Sequence, residues 1–115
     1  MMSDKRRPVP RASMTARERR WRSQLAQLVS QRRFIRGTLQ ERHRVCGKPN
    51  CRCAQGQKHR ALYLVVSKDG RSRQLYVPEK FEATVREWVE NYHDLRDLME
   101  KISDFNWDKV QKRQG

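Results

Sequence analysis

Three cysteines, Cys46, Cys51 and Cys53, fall within the eight-residue stretch CGKPNCRC, and the 115-residue chain has no others. Together with His59 they form Cys46-x4-Cys51-x-Cys53-x5-His59, three soft sulfurs and one imidazole within fourteen residues. Zinc takes four such ligands in a tetrahedron, and three cysteines with one histidine are a standard structural set. Gly47 and Pro49 suit a tight turn that brings Cys46 toward Cys51, and Gly56 lets the chain fold back to deliver His59. The stretch is therefore read as a zinc knuckle with ligands Cys46, Cys51, Cys53 and His59. His43, three residues before Cys46, is the alternative fourth ligand. The spacing is not that of a two-Cys, two-His finger. Two other readings compete, three reduced structural thiols and a redox site; the latter usually shows Cys-x-x-Cys in a thioredoxin-like setting, missing here. An odd cysteine count argues against a disulfide framework.

Cations crowd the candidate ligands. Arg42, Arg44, Lys48, Arg52, Lys58 and Arg60 surround the knuckle, and Lys68, Arg71 and Arg73 follow closely. Upstream, Arg17, Arg19, Arg20, Arg22, Arg32, Arg33 and Arg36 supply seven arginines and no lysine, and arginine suits bidentate phosphate contact. Residues 1–45 carry 13 Lys/Arg against 3 Asp/Glu, residues 46–80 carry 8 against 2, and residues 81–115 carry 6 against 8. The net charge of +14 thus belongs to the first two-thirds of the chain. Such a surface attracts a polyanion, DNA or RNA, through salt-sensitive contacts that are largely blind to sequence. The phosphate contacts are assigned to Arg17, Arg20, Arg32, Arg33, Arg36, Arg42, Arg44, Lys48, Arg52, Lys58, Arg60, Arg71 and Arg73. Tyr63 and Tyr76 have base stacking as one reading. At strand positions tyrosines are more often core or cross-strand partners, and core is the favoured reading.

These groups need elements to hold them. Thr15-Ala16-Arg17-Glu18 has the form of a capping box. Trp21, Leu25, Leu28 and Val29 then recur at helical spacing, with Phe34 and Ile35 near the end and Gly37 as the stop. Thr38 to Val45 alternates with period two and predicts a short half-exposed strand. Ala61–Ser67 and Arg71–Val77 flank Lys68-Asp69-Gly70, which predicts a β-hairpin. Pro78-Glu79 marks the start of a second helix. Along it Phe81, Val85, Trp88, Tyr92, Leu95, Met99 and Ile102 form a three-heptad seam widened by Val89 and Leu98. The seam is predicted to fray at Asn106, with Phe105, Trp107 and Val110 on a further short helix capped by Ser103 or Asp104. Its length favours assembly, either as a homodimer or on a larger protein partner, with packing inside one chain as the alternative. The fold class is α+β: an N-terminal amphipathic helix, a zinc knuckle with a small antiparallel hairpin or three-stranded sheet, and a long C-terminal helix. The expected organisation is a disordered basic arm over 1–13, a basic knuckle and hairpin domain over 14–80, and a helical assembly region over 81–115.

Arg36-Gly37-Thr38-Leu39, CGKPNCRC, His59, the hairpin ending in LYVP, and VREWVENYHDLRDLMEKI together resemble a family of small prokaryotic or phage proteins of unassigned function. The likeness spans about residues 35–102. It implies that Cys46, Cys51, Cys53 and His59 are the matched positions, and it implies a setting near mobile-element genes such as transposases.

Composition bounds the function. Hydrophobic residues make up 36% and charged residues 35%, so the core is thin and a metal staple is of use. No apolar run approaches the ~20 residues of a membrane span, and the basic N-terminus lacks the apolar core of a secretory signal. A cytoplasmic protein without membrane or small-molecule partners is expected. Eight of the thirteen acids lie in residues 81–115, where Glu87, Glu90, Asp94 and Asp97 follow helical surface spacing, and the rest are scattered. A metal-dependent nuclease would cluster them. No enzyme is expected. The leading reading is a zinc-stabilised nucleic-acid-binding accessory protein that supports a larger nucleoprotein complex, such as a transposase or a CRISPR-type nuclease. The rival is a protein–protein adaptor that meets an acidic partner, with nucleic acid incidental.

Overall fold

Asp69 (φ 54°) and Gly70 (φ 75°) both adopt positive φ, the two-residue turn that matches the twist of an antiparallel hairpin. In the computed structural model, which describes residues 7–44 and 59–112 (backbone only at Arg44 and His59), this turn joins two strands of a three-stranded antiparallel sheet. The elements in chain order are a 3-10 turn (Arg11–Ser13), helix α1 (Ala16–Gln31), strands β1 (Thr38–Arg44), β2 (His59–Lys68) and β3 (Arg71–Val77), a second 3-10 turn (Glu79–Phe81), and helix α2 (Glu82–Gln111). The strand order is β1-β2-β3. The α+β class predicted above is the one observed.

The chain divides into two units, one of residues 33–93 and one of residues up to Arg32 together with those from Asp94 onward. In the first, Leu62, Leu64, Val77 and Val89 are buried, with Ile35, Leu39 and Val85 packed against them. Leu62 pairs with Val77 across the hairpin, and Leu39 pairs with Leu64. One face of the sheet therefore carries the core beneath the start of α2. Glycine is required at position 37 for closeness: a Cβ there would lie 2.7 Å from Leu64 Cδ1.

The second unit is an antiparallel pair of helices. Thr15 Oγ1 accepts from Glu18 N at 3.1 Å and caps α1, as the sequence predicts. The Glu18 carboxylate is buried and accepts from Arg22 Nε at 2.9 Å, with Lys109 Nζ of α2 at 4.0 Å. Trp21 meets Phe105 edge-on, ring centroids 6.0 Å apart. Leu95 and Leu98 are buried.

Three local expectations are corrected. Helix α1 ends at Gln31, not Gly37, because Arg32 is already extended. The following segment is bound elsewhere: Ile35 N donates to the Trp88 carbonyl (3.1 Å), and Asn91 Nδ2 donates to the Arg33 carbonyl (2.8 Å). Helix α2 starts at Glu82, after a 3-10 turn rather than directly at Pro78-Glu79. It then runs unbroken to Gln111, without a new start near Ser103. Its stripe steps from Leu95 to Leu98, Ile102 and Phe105, and Lys109 continues it by reaching Glu18 and lying 4.8 Å from the Phe105 ring. Leu98 is buried where the heptad seam would place Met99, which is 48% exposed.

Candidate metal centre and nucleic-acid interface

Strands β1 and β2 pair continuously from Thr38 opposite Val65 to Arg44 opposite His59. His59 thus takes the last position of that ladder, and Cys46 lies two residues beyond its cross-strand neighbour. Cys46, Cys51 and Cys53, with Lys48, Arg52 and Lys58, lie outside the described residues, as do the side chains of Arg44 and His59. His43, the alternative ligand, sits opposite Arg60, and its Nε2 is 3.6 Å from Glu41 Oε2. Among the described residues no three His, Cys, Asp or Glu side chains gather as a metal site. What the fold supplies is a rigid base: the strand leading to Cys46 and the strand beginning at His59 are hydrogen-bonded partners.

Beside that base lies a four-membered ion-pair cluster. Arg60 donates from Nε and Nη2 to Glu41 Oε1 (2.9 and 2.6 Å) and from Nη1 and Nη2 to the two oxygens of Glu82 (2.8 and 2.7 Å). Arg86 Nη2 approaches Glu82 at 3.7 Å and Glu41 at 3.8 Å. The Arg60 hydrogen bonds hold both carboxyls below their ordinary range, and donating to Glu82 and then to Glu41 holds the guanidinium further above its own. Fork-shaped donation to two carboxylates is the strong form of such a pair. Arg60, assigned by sequence to phosphate, is thereby committed to β1 and α2. Glu41 and Glu82 were invisible as its partners, being 19 and 22 residues away.

The remaining assigned cations distribute over both units. Arg17 and Arg20 are exposed on α1. In the sheet unit, Arg33, Arg71 and Arg73 are exposed. Arg36 donates from Nη2 to the Ser67 carbonyl at 3.2 Å, which places it by the hairpin end of the sheet. The Arg42 guanidinium lies over the Tyr63 ring, 4.3 Å from its centroid. Tyr63 sits opposite Tyr76 in the ladder, with centroids 5.8 Å apart and planes at 65°. These tyrosines are cross-strand partners, but they are not core: they alternate with Leu62, Leu64 and Val77, and Tyr76 is 55% exposed. Period-two parity was the available signal, since Tyr63 and Tyr76 keep step with Ser67 and Gln74 rather than with the leucines.

The proposed assembly residues have mixed fates. Val85 joins the sheet core, Leu95 is buried, Trp88 and Ile102 are half-buried, and Tyr92 lies against Phe34 with centroids 6.4 Å apart. Phe81 and Met99 are about half exposed, and Trp107 (71%) and Val110 (77%) are the most exposed large apolar side chains among the described residues. Among those residues no helix is long and apolar enough to cross a membrane.

Residues 14–87 match the family model described as Domain of unknown function (DUF6788), so the chain belongs to that family. Comparisons with curated proteins and with solved structures give no match.

Proposed function

We propose that this DUF6788 protein is a non-enzymatic, zinc-stabilised accessory factor that binds nucleic acid through its basic surface within a larger nucleoprotein complex. The observation that carries the reading is the charge distribution: a net of +16 over residues 1–80 against −2 over residues 81–115. Exposed arginines on α1 (Arg17 and Arg20), between α1 and β1 (Arg33 and Arg36) and on β3 (Arg71 and Arg73) support it. Neutralising phosphates releases their counterions, so affinity should fall steeply and log-linearly with salt. Electrophoretic shift or anisotropy titrations with a short duplex and a single strand over a salt series test this. A flat salt response sinks the reading and leaves the adaptor role.

A zinc ion fits the donor chemistry of Cys46, Cys51, Cys53 and His59. The pairing of Arg44 with His59 sets the end of β1, two residues before Cys46 in sequence, beside the start of β2 at His59. Bound there, zinc supplies structural cross-linking, with about 10–16 kcal/mol of apparent binding energy for a site of this kind. That is of the order of, or above, the net stability of a small domain. His59 is preferred over His43 because His43 already approaches Glu41.

Assembly is assigned to the exposed end of α2 rather than to the whole heptad seam. Trp107 and Val110 are exposed, whereas Leu95 is already covered. A transposase-like or RNA-guided nuclease partner, in a prokaryotic or phage cell, is the setting in which such a factor would serve.

A further inference from the structure

The two faces of the sheet differ in kind. One carries Leu39, Leu62, Leu64 and Val77 of the core, and also Glu41, whose carboxylate is held by Arg60. The register places Thr38, Gln40, Arg42, Ala61, Tyr63, Val65, Ser67, Ser72, Gln74 and Tyr76 on the other. Most of that second face is exposed, and none of its residues in β1, β2 or β3 is an Asp or Glu. At its centre Tyr63 and Tyr76 meet edge to face, and Arg42 covers one side of Tyr63. Tyr76, which has no cation over it among the described residues and is more than half exposed, is the ring open to a ligand.

A face that was merely solvated would interleave both signs of charge. A face built for a second sheet would be aliphatic throughout. Here the aliphatic side chains are only Ala61 and the half-buried Val65, and around them aromatic rings, an arginine and neutral amide and hydroxyl groups occur together, with no strand carboxylate to repel an anion. That chemistry matches an unpaired polynucleotide: bases stack on tyrosine irrespective of sequence, arginine meets phosphate, and Gln and Ser reach base edges. A duplex keeps its base faces inside its own stack, so an exposed ring discriminates for the single strand. We infer that this sheet face binds single-stranded nucleic acid, with a base stacking on Tyr76, a neighbour against Tyr63, and Arg42 on the intervening phosphate. The inference rests on the nucleic-acid reading above and names the class of strand it takes.

The test uses the full chain and fluorescein-labelled 12-nucleotide DNA and RNA of one mixed sequence, alongside the matching DNA duplex, in anisotropy titrations at several salt concentrations. Tyr76→Ala should weaken single-strand binding by about 5- to 150-fold, the range for loss of one stacked base, and leave duplex binding within about twofold. Tyr76→Phe should behave as the parent. Arg42→Gln should reduce the salt slope by about one. Where Tyr76→Ala lowers the melting temperature, Tyr76→Leu replaces it, keeping apolar area without a π-face. Equal single-strand affinity for Tyr76→Ala and parent, or equal losses on duplex and single strand, overturns the stacking face while salt-dependent binding keeps the broader reading. No binding to any of the three oligonucleotides overturns both.

Discussion

Arg44 and His59 face each other as the last antiparallel pair of β1 and β2. The fourteen residues between them therefore leave and return at one strand spacing, roughly 5 Å. All three cysteines lie in that excursion, and His59 stands at its foot. Bringing the ends of a long connection together costs entropy, and the zinc proposed for Cys46, Cys51, Cys53 and His59 would offset that cost.

Purified protein is expected to hold one zinc per chain by atomic absorption. Cys51→Ser should lose it. A strong chelator should lower the melting temperature and reduce the β-sheet signal in circular dichroism. Metal-free protein whose melting ignores chelator would refute the site.

The Arg60 cluster makes a pH prediction. Arg60 depresses the Glu41 and Glu82 carboxyls in the folded state from an ordinary value of 4.5. A carboxyl with a lowered folded pKa contributes stability that is fully present above its unfolded value and is lost as pH falls through the folded one. Stability should hold from pH 7 to about 5 and decline below 4.5. Arg60→Gln should lower the melting temperature at pH 7 and flatten that decline, as followed by thermal melts across the pH series. An unchanged acid limb in the variant would show that other groups govern it.

Gly37 is tested by adding one carbon. Gly37→Ala drives a methyl to 2.7 Å from Leu64 Cδ1, and overpacking of this sort costs about 1–3 kcal/mol. Because the clash is with that side chain, the cost should shrink in a Leu64→Ala background, even though Leu64→Ala destabilises by itself. Additive losses in urea denaturation would place the strain elsewhere.

The two ends of the α2 stripe should separate stability from assembly. Leu95, 4% exposed, is expected to cost about 2–5 kcal/mol on replacement by alanine. Trp107→Glu, at a 71% exposed position, should leave the melting temperature of the monomer nearly unchanged while abolishing any self-association seen by light scattering. A stable dimer that survives Trp107→Glu would move the interface off this patch.

Local chemistry was legible in the sequence where it is self-contained. Asp69-Gly70 announced its turn, Thr15 its cap on Glu18, and alternation the strands. The end of α1 was not, because a backbone hydrogen bond from Ile35 to the distant Trp88 decides it. Neither was the choice of Leu98 over Met99, since both fit an apolar stripe and only the packing partner selects between them. For the candidate site, the ligand types and their spacing stand in the chain itself. The commitment of Arg60 to Glu41 and Glu82 does not, because nothing local separates a phosphate-binding arginine from one bridging a strand to a helix.

One feature of the sheet reaches beyond recognition. Among the described residues β2 is paired on both sides, whereas β1 and β3 each keep an unpaired edge. A seven-residue edge strand invites a further strand to add and seed aggregation. β3 carries Arg71 and Arg73 exposed along its length, so a second copy approaching in register meets like charge. These arginines therefore act as gatekeepers of solubility whatever ligand they touch, and neutralising them risks precipitation before any loss of binding is measured.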